Sequence, residues 1–429
     1  MWPPAGRLRR WLGEVQVGGA NCRGFADARH DLPNHMHLPD PARLIAALTA
    51  ANRRLVVVST GGGSVVIPHL VTTPGASGVV LDAQVPYARA AVDQLLGGPQ
   101  DSYCSPKTAR RLAAAAWERA IRLDAADAAA LEPGRAIGLA IAASLKTSRP
   151  KRGGHRVCVA VQTLETTSSA ELVLTKDVRS RAEEEHVAAA LALDVLAEAT
   201  RLPAECRAGF AGLLRDGERV VRDIVSAPEG WRDLLGGRRS VAAAAGDETP
   251  AAGSLVFPGS FDPLHEGHRL MARIAEEIAE RPLAWELSVT NVDKPLLDYA
   301  SIRDRAAQFT GQRLWLTRAA RFKEKLAIFP EGTFVMGADT YARLADPRYY
   351  GGSAAAAEEA IDAITEQARG LIVFGRMRNG AFEDAAQIDA PQRLRDVSYF
   401  VSQREFRLDI SSTELRRQDI ERREAACDG

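Results

Sequence analysis

The sequence predicts an α/β protein of two successive domains, and three observations carry that expectation. Apolar runs of strand length alternate with helical stretches, the pattern of mostly parallel sheets with covered faces. The alternation stops in an Ala/Gly/Pro-rich stretch at 241–253 and then restarts. At 429 residues the chain is also too long for one ordinary core. We therefore expect a lead segment 1–41, a first α/β domain 42–201, a helical segment and linker 202–253, and a second α/β domain 254–424 with a parallel sheet.

In the lead, Pro33, Pro39 and Pro41 interrupt any period. A helix is expected from Pro41 to Ala51 and a strand at Leu55–Ser59, and Gly61-Gly62-Gly63-Ser64 then opens the next helix. A strand at Val79–Leu81 precedes helices at Tyr87–Leu96 and Pro106–Ile121. Strands at Ala136–Ala142, Val157–Gln162 and Ala170–Leu174 lead into a long helix from Val178 to Thr200. Residues 203–236 read as further helix. In the second domain strands fall at 255–257, 286–290, 313–317, 333–336 and 371–375, and helices at 264–280, 301–309, 353–369 and 411–424.

Composition narrows the function classes. Apolar residues make up 46% and charged residues 26%, as in a soluble globular protein. Lys plus Arg equals Asp plus Glu at 55 each, so no bulk charge draws the chain to nucleic acid or membrane, and any phosphate recognition must be local. Cys22, Cys104, Cys158, Cys206 and Cys427 lack metal-ligand spacing and read as thiols of a reducing compartment. No apolar run approaches the ~20 residues of a bilayer span. The start, with Arg7, Arg9 and Arg10, has no apolar core for secretion, which points to the cytoplasm and leaves organelle targeting open.

The chemistry concentrates in Gly259-Ser260-Phe261-Asp262-Pro263-Leu264-His265-Glu266-Gly267-His268. A buried strand ends in a turn, and two histidines three residues apart share the first face of a helix. The helix N-terminus adds free N–H groups and a positive dipole end, an arrangement suited to polyphosphate. Lys294, Gly337 and Asp339 each follow a strand, on the edge where open α/β sheets bind ligands. Ser411, Ser412 and Thr413 begin the last helix, with Arg416 as a charged donor. Taken singly, that hydroxyl cluster is a helix cap and Lys294 a surface lysine. The argument rests on their co-occurrence.

Gly259–His268 resembles the GxFDPxHxGH signature of the HxGH nucleotidylyltransferase superfamily, and Ile410–Arg416 resembles its ISSTxIR signature. With Gly337-Ala338-Asp339-Thr340, the likeness is to nicotinate/nicotinamide mononucleotide adenylyltransferases, over residues 254–424. The resemblance implies a Rossmann-like fold and transfer of a nucleotidyl group from ATP, or CTP, with Mg²⁺, to a phosphorylated small-molecule acceptor. Catalytic roles fall on His265, His268 and Lys294. Nucleotide binding falls on Gly259, Ser260, Phe261, Gly267, Gly337, Asp339, Ser411, Ser412, Thr413 and Arg416. No separate protein metal site is implied.

The first half is similar to the CinA C-terminal domain, a family that includes nicotinamide mononucleotide amidases. The likeness rests on Val58-Ser59-Thr60-Gly61-Gly62-Gly63-Ser64, Thr73–Ser77 and Val85-Pro86-Tyr87. It implies a ligand site at Ser59, Thr60, Gly61, Gly62 and Tyr87. The family's first serine, however, falls on Val58 and its lysine on Val92. A valine cannot act as nucleophile, so the domain reads as a degenerate amidase unless Ser59 or Ser64 has taken over. A ligand-binding or scaffold domain is the alternative, with Lys146, Arg149, Lys151 and Arg152 as an anion-binding edge. The whole arrangement resembles fused cytidylyltransferase-like proteins of plants and algae, which share the Glu286–Pro295 run. A cytidylyltransferase and a non-catalytic nucleotide-binding scaffold are the competing functions. Both families commonly self-associate, so a homo-oligomer is compatible.

Overall fold

A computed structural model describes residues 38, 40–127, 132–149, 151–207, 209–292, 294–378 and 381–403. The described chain belongs to one compact unit, His37–Gly429. The described residues form two large sheets and a two-stranded hairpin. The first is built from β1 (Arg54–Thr60), β2 (Val80–Gln84), β3 (Ala136–Ser144), β4 (His155–Gln162), β5 (Thr166–Leu174) and β6 (Val220–Ser226). Its helices are α1 (Pro41–Ala50), α2 (Val66–Val71), α3 (Arg89–Leu96), α4 (Pro106–Asp127), α5 (Arg181–Ala199) and α6 (Glu229–Leu235).

The spatial order is β2-β1-β3-β4-β5-β6. Helices lie between β1, β2 and β3, and these three strands pair in parallel. No helix separates β3, β4, β5 in sequence, and the pairs β3/β4, β4/β5 and β5/β6 are antiparallel. This corrects the mostly parallel sheet expected for this half: the direct β3–β4–β5 connections reverse the chain, and β6 joins antiparallel to β5 after the intervening α5. β6 also corrects the helical reading of 203–236. Helix α4 packs on β3, β4 and β1, and α5 packs on β4, β5 and β3. A capping box at Ser180 and Glu183 starts α5, whose central residues are almost wholly buried.

The second sheet contains β7 (Val241–Ala243), β8 (Leu255–Pro258), β9 (Leu283–Ser288), β10 (Leu314–Thr317), β11 (Thr333–Gly337) and β12 (Gly370–Phe374), with a short hairpin β13 (Arg376–Arg378)–β14 (Ala381–Glu383) before β15 (Ser398–Val401). Its helices are α7 (Glu266–Ala279), α8 (Tyr299–Ala306), α9 (Phe322–Ile328), α10 (Ala338–Leu344), α11 (Ala354–Gln367) and α12 (Gln392–Asp396). The order is β15-β12-β11-β8-β9-β10-β7, parallel except for β7 at one edge. From β8 the chain winds outward through β9 and β10, then returns to β11 on β8's other side. That reversal is the topological switch of a doubly wound Rossmann sheet, and it puts the ligand crevice at the C-terminal ends of β8 and β11.

The stretch 241–253, expected as linker, supplies β7 and ties the segment to the second sheet. One apolar core runs through both halves, from Val56, Leu112 and Trp117 to Phe257, Trp285, Tyr299 and Ile372. No described helix is long and apolar enough to cross a membrane.

Candidate active site

The loop between β8 and α7 is fixed before any ligand arrives. Phe261 has a φ of 43°, left-handed for a residue with a side chain. Such a conformation costs on the order of 1–3 kcal/mol and persists where surroundings over-determine it. Here the Phe261 ring is buried and meets Phe257, His268, Trp285 and Phe309 edge to face at 5.2–5.7 Å between centroids. A Cβ on Gly259 would stand 2.4 Å from that ring, so only glycine fits beside it. The Gly259 N–H donates to the Glu286 carbonyl on β9 (2.9 Å). From the other side, Arg305 donates to the Ser260 carbonyl (2.9 Å) and pairs with Asp262 (3.3 Å). Gln308 donates to the Phe261 carbonyl (3.1 Å) and accepts from the Leu264 N–H (2.8 Å).

That loop delivers the two histidines. His265 is the N-cap of α7, and Gly267 is buried in its first turn. The His265 N–H donates to His268 Nδ1 (3.3 Å), and the two rings stack with centroids 3.7 Å apart. His265 Nδ1 is buried and has no hydrogen-bond partner among the described residues. A buried ring nitrogen without a partner, beside free N–H groups of a helix start, is a place for a ligand atom.

Burial holds the His265 imidazole below its ordinary pKa. Burial first, and His265 second, push His268 down to about 3. Near neutral pH the ligand-free pair is therefore uncharged. Because the folded value lies below the unfolded one, the unfolded chain takes up the proton first as pH falls. His268 thus contributes stability that is complete above pH 6.5 and lost as pH falls toward about 3. Urea midpoints measured from pH 7 to pH 4 are expected to fall less steeply in His268→Gln than in the wild type. Parallel profiles would refute the buried neutral imidazole.

Gly337 and Asp339 stand at the C-terminal end of β11, next to β8, as the switch point requires. A Cβ on Gly337 would meet nothing within 4 Å, so no neighbouring side chain dictates glycine there. Asp339 pairs with Arg376, which also pairs with Glu383 (2.9 Å). The structure thus brings Gly259–His268 and Gly337–Asp339 to one edge. Ser411, Ser412, Thr413 and Arg416 lie outside the described residues. Lys294 instead lines a cavity of about 340 Å³ with Val58, Gln84, Glu118, Arg119 and Arg122, a lining that includes neither histidine. A second cavity, of about 1690 Å³, is lined by residues between 243 and 255, by one side of α7 from Glu266 to Glu276, and by the starts of β9 and β10, and its lining includes neither histidine.

In the first half the glycine loop is built into the fold. The Ser59 hydroxyl is buried and donates to the Gly62 carbonyl (3.0 Å), and Thr60 donates to the Pro86 carbonyl (2.8 Å). Gly61 has a φ of 75°, and its added Cβ would collide with the Ala143 carbonyl at 2.0 Å. Gly62 packs by Leu145 and Glu185, and Arg181 donates to the Gly61 carbonyl (2.9 Å). Tyr87 is exposed. The basic edge is partly spent internally: Lys146 Nζ donates to the Arg179 carbonyl (3.1 Å), and Lys151 Nζ to Ser144 Oγ (2.8 Å) and the Leu145 carbonyl (2.9 Å).

A family model described as cytidylyltransferase-like matches residues 256–418. A probable nicotinate-nucleotide adenylyltransferase of Gloeobacter violaceus is 31% identical over 182 residues, covering 38% of this chain and 82% of the relative. The chain belongs to the cytidylyltransferase-like nucleotidyltransferases. Among solved structures, a competence/damage inducible protein of Agrobacterium tumefaciens is 20% identical with a TM-score of 0.30, covering 37% of this chain and 92% of that one. A CinA superfamily protein of Escherichia coli is 18% identical with a TM-score of 0.31, covering 38% and 91%.

Proposed function

We propose that the second half transfers AMP from ATP to a phosphorylated acceptor, nicotinate or nicotinamide mononucleotide, and releases pyrophosphate. The observation that carries this reading is the stacked, half-buried His265–His268 pair at the start of α7, on the central strand of the doubly wound sheet. The Gloeobacter relative's name supports the nicotinate form of that acceptor.

The chemistry needs little from the protein beyond placement and charge. A phosphomonoester has its second pKa near ~6, so the attacking oxygen is already ionised at neutral pH and no general base is required. The acceptor phosphate attacks the α-phosphorus, the bond to the β-phosphate oxygen breaks, and pyrophosphate leaves. His265 and His268 would donate N–H bonds to phosphate oxygens as charge moves onto the leaving group. An anion beside them raises their proton affinity. Backbone N–H groups of α7 would add further donors, and Gly337 leaves room beside Asp339 for the nucleoside. Ser411, Ser412, Thr413 and Arg416 would hold the outer phosphates.

Among the described residues no group of three or more His, Cys, Asp or Glu side chains could hold a metal. A Mg²⁺ carried by the triphosphate oxygens would neutralise phosphate charge. Cytidylyl transfer is the second reading, favoured by the description of the matching family model. Pyrophosphate release should be assayed with ATP and CTP across a panel of phosphorylated acceptors. Release is expected with ATP and a pyridine mononucleotide. Turnover confined to CTP, or to acceptors without a pyridine, would overturn the assignment, and nucleotide binding without product would favour a scaffold.

A further inference from the structure

We propose that the first half acts on the transfer reaction as a positioning frame, with Lys107 of α4 holding Asp262 of the histidine loop. The inference rests on the transferase reading of that loop.

Helix α4 belongs to the first sheet by its packing on β3, β4 and β1. Residues 107, 110/111 and 118 recur at helical spacing, so they share one face. Each of three reaches into the second half. Lys107 Nζ stands 3.3 Å from Asp262 Oδ2, Arg110 Nε 3.0 Å from Asp298 Oδ1, and Glu118 Oε2 accepts the Leu296 N–H at 3.1 Å. Asp262 therefore sits between a cation of the first half and Arg305 of α8.

The frame has a second arm. Helix α8 is fastened to the first half at its start, where the Tyr299 hydroxyl donates to the Leu164 carbonyl (2.7 Å) and the Tyr299 N–H to Thr167 Oγ1 (2.9 Å). Arg303 adds a two-bond pair with Asp223 on β6 (2.7 and 2.9 Å). The far end of α8 and the turn after it carry Arg305 and Gln308, the side chains that clamp residues 260–264. The side-chain holds from Lys107, Arg305 and Gln308 thus trace back to the first half, directly or through α8, while β9 holds the Gly259 N–H. A loop with Phe261 in the left-handed region depends on its surroundings to keep its shape, and these holds add to the aromatic packing of its ring. Placement errors of about 1 Å near reacting atoms can cost ~10²-fold in rate.

Lys107 is the contact that separates positioning from folding. Its side chain is 44% exposed, and an exposed pair of this kind contributes little to stability. Lys107→Met is expected to lower kcat about tenfold, with the KM for nucleotide and the melting temperature near wild type. Lys107→Arg should restore most of the rate. In an Asp262→Asn background, Lys107→Met should add little further loss. Wild-type kcat in Lys107→Met would overturn the proposal, as would a loss that Arg fails to rescue or that persists undiminished in Asp262→Asn. If the wild-type protein releases no pyrophosphate from any substrate pair, the transferase reading itself has failed, which is a separate result.

Discussion

His268→Ala is expected to reduce nucleotidyl transfer by at least about 10²-fold, the usual consequence of deleting one donor aimed at developing charge. The variant should remain folded. His268 is a first-turn residue of α7, its ring rests against Phe257 and Phe261, and both of those keep their other aromatic partners. What the variant loses is one neutral imidazole N–H donor, the ring stacked on His265, and the acceptor of the His265 N–H. Initial rates of pyrophosphate release, with circular dichroism and a thermal melt on the same preparation, separate the two effects. Wild-type turnover by a folded His268→Ala would remove the histidine pair from the active site. His268→Asn should recover part of the rate, since its amide restores a donor at a shorter reach.

The second sheet was largely legible in sequence because each strand between 255 and 375 is a short apolar run followed by a turn and a helical period. Local pattern is enough for such a unit. The loop that carries His265 and His268 was legible for the same reason: the Gly259 turn, the cap position and the i, i+3 spacing are all local. What escaped depends on partners distant in the chain. Val241–Ala243 looks like linker in a run of alanine and glycine, and becomes a strand only because β10 offers an edge at Trp315–Thr317. Val220–Ser226 likewise needs β5 beside it. The antiparallel run β3-β4-β5 could have been inferred from the absence of helix between those strands. Lys294 follows a strand on the edge where such sheets bind ligands, yet the loop after β9 meets α4, through Glu118 and Leu296. No short-range pattern contains that contact. The polar face of α4 was readable as a face, but not as one covered by a second sheet.

Asp298→Ala is expected to cost about 3–5 kcal/mol through loss of a buried ion pair, with about 1 kcal/mol more from a lost helix cap. The Asp298 side chain is 2% exposed and Arg110 11%, so the exchange strands a guanidinium in the interface between the halves. The same carboxylate caps α8, accepting from the Ser301 N–H (2.9 Å) and hydroxyl (2.6 Å). Cooperativity should suffer along with stability. The wild-type halves share one apolar core and should unfold in a single transition, whereas Asp298→Ala should split or broaden the urea curve. Arg110→Leu combined with Asp298→Ser supplies the contrast, because serine keeps a cap and leucine leaves no charge to strand. That double variant is expected to recover much of the lost stability, as replacement of buried pairs by apolar groups commonly does. Catalysis discriminates further, because α8 carries Arg305 and Gln308 to the histidine loop. Loosening its start should lower kcat even under conditions where the single variant is still folded. A loss below about 1 kcal/mol would place this pair among weak surface contacts.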